Sequence, residues 1–193
     1  MPITTSAIDS PKIRLGTATI ASCLVIAVGM VASACGGSAG SVGSPDDAVE
    51  ANARVVRVVD GDTLVVDVAG NDERVRLIGI DTPESVKQGS PVECFGKEAS
   101  AHTKALLRRG TPIRLVLDVE ERDRFDRLLA YVYRASDGEF VNLALARDGY
   151  AGVLTYPPNV AHVDDFRAAV SDARRDGRGL WSACNGDPPV DAH

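Results

Sequence analysis

Asp62, Asp81 and Glu84 are carboxylates at the turns and exits of β-rich runs, and Arg76 and Arg127 are arginines inside or at the entry of such runs. Two or three carboxylates offer hard oxygens of the kind that bind Ca²⁺ or Mg²⁺. Two guanidinium groups can hold a phosphodiester through paired N–H donors. A carboxylate not spent on a metal can take a proton from water. Singly, each residue has a plainer explanation. Asp60–Gly61–Asp62 reads as a tight turn, and an arginine on a strand reads as a solvated face. Together they describe a site for attack on a phosphate diester.

The elements that must position these groups follow from pattern. In "RVRLIGIDTPE" (74–84), Val75, Leu77, Ile78 and Ile80 suit a half-buried strand. Pro83 cannot donate to a ladder and holds Thr82 extended, so the strand stops there. Arg76 and Asp81 are five residues apart, so a flat strand would point them to opposite faces. They converge only if the chain bends, and Gly79 is where a bend is tolerated. The runs 54–60, 63–69 and 74–80 predict a three-stranded meander, followed by a loop over 82–96. A helix is expected over 97–110 with Gly110 as its stop, then strands at 112–118 and 127–134. Two further helices are expected at 140–149 and 162–177, the second with Val163, Phe166, Ala169, Val170 and Ala173 on one stripe.

Five strands grouped three and two, with a helix between the third and fourth, predict an α+β fold. Its form is a five-stranded OB-fold Greek-key barrel with three helices. Val56, Val58, Leu64, Val66, Leu77, Leu115, Leu117 and alternate residues of 127–134 are expected inside the barrel. Aromatics make up only 5% of the chain, so this core must be mainly aliphatic.

The first third reads as address rather than fold. Lys12 and Arg14 precede an apolar run, 17–34, that ends in small residues before Cys35, Gly36 and Gly37. That pattern is an export signal resembling a bacterial lipobox, with Cys35 as the lipidated residue. Two other readings stay open: "ASA" as a simple secretion site, and the apolar run as a membrane anchor. All three place the remainder outside the cytoplasm, on the outer face of the membrane or secreted. The expected organisation is a signal over 1–34, a Gly/Ser-rich and then acidic tether over 35–52, a folded domain over 53–184, and a disordered tail over 185–193. Cys23 leaves with the signal and Cys35 is used by the lipid, so Cys94 and Cys184 remain as an even pair in an oxidising compartment. A disulfide is expected between them, the alternative being two buried free thiols. The net charge of −6 argues against tight non-specific binding of nucleic acid, which needs cations to neutralise phosphates.

Several stretches in order resemble the staphylococcal nuclease (thermonuclease) family. They are "VVDGDTL" (58–64), "VRLIGIDTPE" (75–84), "FGKEASAHTK" (95–104), "DRFDRLLAYVY" (123–133), "VNLALARDGYA" (141–151), "YPPN" with His162, and "GLW" (179–181). The resemblance spans about 53–184 and implies a Ca²⁺-dependent nuclease acting on DNA or RNA and leaving 3′-phosphate and 5′-hydroxyl ends. By that resemblance Asp62, Asp81 and the carbonyl of Thr82 hold the Ca²⁺, Glu84 is the general base, and Arg76 and Arg127 clamp the scissile phosphate. Arg124 and Phe125 are expected against the substrate, and the protein is expected to act as a monomer.

The departures lie at the periphery. Phe125 and Leu154 stand where the family has tyrosines, Asp126 stands where it has a glycine, and the loop after Glu84 has one lysine, Lys87. They imply an active nuclease with weakened substrate binding. The rival readings are a non-catalytic nucleic-acid-binding OB-fold lipoprotein and a structural surface lipoprotein. An acidic chain poor in aromatics that keeps all five side chains of the site favours catalysis.

Overall fold

A computed structural model describes residues 48–85 and 92–184. The expected leader, Cys35, the tether up to residue 47, Lys87 and the tail lie outside those residues. Strands β1 (Ala53–Asp60), β2 (Thr63–Val68) and β3 (Asn71–Leu77) form the meander. β4 (Gly79–Asp81) follows, then helix α1 (Gly96–Leu106), β5 (Pro112–Arg122) and β6 (Leu128–Arg134). The chain ends with α2 (Val141–Arg147), β7 (Gly152–Leu154), α3 (Val163–Arg175) and α4 (Leu180–Ala183). β1, β2, β3, β6 and β5 close a barrel in that order. β3 and β6 run parallel, and the other neighbours are antiparallel. This is the expected OB-type barrel, with four helices where three were anticipated; the fourth is the single turn α4.

The third predicted strand is two strands. β3 ends at Leu77, and β4 leaves the barrel to pair with β7, a strand that periodicity did not suggest. The break falls at the expected glycine. Gly79 has φ +85°, and a Cβ there would stand 2.1 Å from the Phe166 ring, so this backbone position accepts no other residue without moving α3. Buried Asn142 secures the bend: its amide donates to Ile78 O (2.9 Å), and its Oδ1 accepts from Val132 N (2.9 Å). Ile78 N in turn donates to Ala130 O.

Two expected interior residues are displaced. Val55, not Val56, is buried, because the β1–β2 register shifts between Val55 and Arg57 and the alternation inverts there. Leu117 is 39% exposed because the outer half of β5 leaves the barrel where the β5–β6 register breaks, between Leu117 and Arg122. Helix α1 stops at Leu106, four residues before Gly110, since Leu107 turns into the core. The core is otherwise as anticipated, with Leu64, Val66, Leu77, Phe166 and Val170 buried together. Cys94 and Cys184 have Cα atoms 5.9 Å apart and sulfurs at bonding distance, within disulfide geometry.

Candidate active site

The site begins at the turn between β1 and β2. Asp60 folds back onto it: its carboxylate accepts from Gly61 N (2.9 Å), Ser85 Oγ (2.5 Å) and Ser85 N (3.3 Å). Burial alone would raise the Asp60 pKa. Hydrogen bonds with Glu84, Ser85 and Gly61 outweigh it and hold the group below the usual carboxylate range. A Cβ on Gly61 would lie 2.5 Å from Thr82 Oγ1, so glycine lets the two turns press together. From the other side, Thr103 of α1 donates to Gly61 O (2.7 Å).

Asp62 is the hub. Its Oδ2 accepts from both Thr82 N and Thr82 Oγ1, each at 3.0 Å. Its Oδ1 accepts from Thr63 Oγ1 (3.0 Å) and pairs with Arg76 at 2.5 Å. The second terminal nitrogen of Arg76 reaches Asp81 Oδ1 at 2.6 Å and Ile80 O at 3.2 Å. The bend at Gly79 therefore brings together the two residues that a flat strand would have separated. Burial would lower the Arg76 pKa, but Asp62 and Asp81 more than reverse that, and the guanidinium is held firmly charged. At Asp81, burial pushes the carboxyl up against the pull of Arg76.

Arg76 and Asp81 form one wall of an open cleft of about 660 Å³; Asp123, Arg124, Phe125, Arg127, Leu154 and Tyr156 also line it. Arg127 is braced by Asp123, with Nε to Oδ2 at 2.7 Å, a terminal nitrogen to Oδ2 at 2.6 Å, and the Arg127 backbone N–H to Oδ1 at 3.0 Å. Asp126, the residue beside the clamp, points away: its carboxylate and carbonyl face Arg122 (3.5 and 3.0 Å). Its φ of +62° lies in the left-handed region that favours glycine, the residue the resemblance implies at this position. Phe125 is 63% exposed, with the guanidinium of Arg124 4.7 Å and that of Arg127 5.5 Å from its ring centre.

Five predicted residues, Arg76, Asp81, Arg124, Phe125 and Arg127, thus share one cleft, and Asp62 and Thr82 lie behind its floor. Glu84 stands apart. Its backbone N–H donates to Glu93 Oε2 (2.8 Å), its carbonyl accepts from Glu93 N (3.0 Å), and its side chain is hydrogen-bonded with Asp60. It does not line the cleft. Sequence reasoning missed Asp123, whose signal was its place four residues before Arg127, and the contacts of Asp60 with Ser85 and of Glu84 with Glu93, for which no local signal exists.

Among the described residues, no three His, Cys, Asp or Glu side chains converge as a metal cage. The donor chemistry nevertheless fits a hard cation. Two carboxylates are held so close that a single guanidinium touches both, beside the Thr82 backbone, and Ca²⁺ takes carboxylate, carbonyl and water oxygens together.

Residues 74–183 match the family described as Staphylococcal nuclease homologue. The thermonuclease of Staphylococcus hyicus is 40% identical over 136 residues, covering 70% of this chain and 79% of its own length. The thermonuclease of Staphylococcus intermedius is 44% identical over 124 residues, covering 64% and 70%. Endonuclease YncB of Bacillus subtilis is 38% identical over 133 residues, covering 68% and 62%.

Proposed function

We propose, on the premise that this chain belongs to the staphylococcal nuclease family, that it is a Ca²⁺-dependent nuclease hydrolysing phosphodiester bonds of DNA, RNA or both. The observation that carries this reading is the convergence of Arg76, Asp81 and Arg127 on one cleft, with Asp62 bonded directly behind Arg76.

The roles follow from the contacts. Asp62, Asp81 and the Thr82 carbonyl would hold the cation. When bound, it neutralises charge on the phosphate and lowers the pKa of water. Arg127 spends its Nε and one terminal nitrogen on Asp123, which fixes the plane of the guanidinium and leaves its other N–H donors for a phosphate oxygen. Arg76, pinned between two carboxylates, presents fixed positive charge at the wall of the same cleft and opposes charge that builds as water attacks phosphorus. Glu84 is the base. In that role it takes a proton from water as the water attacks phosphorus. Arg124 and Phe125 border the cleft where neighbouring nucleotides would lie.

The reaction leaves 3′-phosphate and 5′-hydroxyl ends, as family membership implies. Export, with Cys35 lipidated and the domain tethered outside the membrane, is supported by the leader pattern, and the same compartment would keep Cys94–Cys184 oxidised. The domain acts as a monomer. Incubation with labelled single-stranded and duplex DNA and RNA, with Ca²⁺ or chelator and with end analysis of the products, tests the reading. Products with 5′-phosphate ends, or no cleavage with Ca²⁺, would overturn it.

A further inference from the structure

Half of the described arginines of this acidic chain are tied to carboxylates: Arg76, Arg122, Arg127, Arg134, Arg147, Arg167, Arg175 and Arg178 all make ion pairs. One face differs. Arg57 on β1, Lys104 on α1, and Arg108 and Arg109 just after α1 line a single groove of about 470 Å³ over Val58 and Leu107. All four cations are exposed, and none has an ion-pair partner among the described residues. Like charges gathered without counter-ions repel, so folding supplies no reason to place them together. A polyanion does.

The groove is built from the elements that make the catalytic turn. β1 runs from Arg57 into Asp60, and Thr103, next to Lys104, holds Gly61 O. We infer that this β1–α1 groove is an accessory site for nucleic-acid phosphates, which retains the substrate strand away from the bond being cut. The inference rests on the nuclease reading above. It also answers the charge objection: an overall charge of −6 is compatible with strand binding when cations without carboxylate partners are gathered on one face.

The test compares the protein with its Arg57→Gln/Lys104→Gln/Arg108→Gln/Arg109→Gln variant in three measurements. The first is anisotropy titration with a long single-stranded oligonucleotide in chelator at several salt concentrations. The second is Ca²⁺-supported cleavage of that strand and of a dinucleotide. The third is binding to phosphatidylserine vesicles. Four phosphate contacts to a single strand give a log–log salt slope of about −3, or a roughly 50-fold loss of affinity between about 50 and 200 mM salt. The variant should lose that slope and show a raised KM for the long strand, with dinucleotide turnover unchanged.

An unaltered slope and KM would overturn the inference, as would an equal loss of dinucleotide turnover, which would place the effect in the cleft. Vesicle binding that disappears in the variant while the oligonucleotide slope stays constant would overturn it in favour of a membrane surface. Failure of the unmodified protein to cut the long strand with Ca²⁺ counts against the nuclease reading instead, and the titration still reads the groove. If the fourfold variant melts early, Lys104→Gln/Arg108→Gln should give about half the change in slope.

Discussion

The catalytic cleft and the β1–α1 groove both hold arginines, but in opposite electrostatic states. In the cleft every proposed phosphate clamp is already committed, Arg76 to Asp62 and Asp81, Arg127 to Asp123. In the groove Arg57, Lys104, Arg108 and Arg109 face solvent without a carboxylate partner among the described residues. Pairing fixes a guanidinium in one orientation at the cost of net charge. An unpaired cation keeps its charge and loses its orientation, so its contribution is screened by salt. Orientation serves a transition state, and charge at a distance serves retention of a strand.

Perturbing each region should therefore give different signatures. The largest effect lies in the cleft: excess chelator should reduce cleavage to background, measured with a labelled oligonucleotide. Glu84→Gln and Arg76→Lys should each lower kcat by about 10²–10³, because Gln takes no proton and Lys lacks the planar fork. Their melting temperatures should stay near that of the unmodified protein. A clear drop in melting temperature with a proportionate fall in activity would mean the cleft pairs are structural, and the contrast with the groove would collapse.

Asp123→Asn sharpens the comparison further, since it converts Arg127 from a braced to an unbraced cation. Its kcat should fall by up to about 100-fold through misplacement of the clamp. Binding of long strands in chelator should hold or tighten, because one negative charge is gone. Asp123→Glu should recover part of the rate.

Stability gives the smaller effects. The Cys94–Cys184 link closes a loop of 90 residues. Cys94→Ser/Cys184→Ser should lower unfolding free energy by at most about 4–5 kcal/mol, seen by denaturant titration. Smallest is acid sensitivity. Arg134 holds the Asp137 carboxyl below its ordinary value, so its folded pKa lies under the unfolded one. The stabilisation is present at neutral pH and is lost as pH falls below about 4. The group is largely solvated, so melting temperature against pH should show only a slight difference between Asp137→Asn and the unmodified protein in that window.

What the sequence could establish by itself was chemical type and local permission. The carboxylates and arginines were visible, the strand stop at Pro83 followed from its missing N–H, and the need for a bend at Gly79 followed from a parity argument about Arg76 and Asp81. The barrel class followed from five β-rich runs and one interposed helix, whereas the strand order came from the fold. Cysteine counting found the Cys94–Cys184 pair, but tertiary structure decided the other matters that depended on partners distant along the chain. Val55 displaced Val56 because a register shift in the pairing with β2 inverts the alternation, and no local preference reports such a shift. Asn142 locks Ile78 from 64 residues away, and the Glu84 side chain meets Asp60 rather than the cleft. Whether an arginine is committed or bare was equally invisible, because it depends on which carboxylate the folded surface brings within 4 Å. Local sequence restricts the backbone conformations open to each residue, whereas such contacts form only when separate elements pack together.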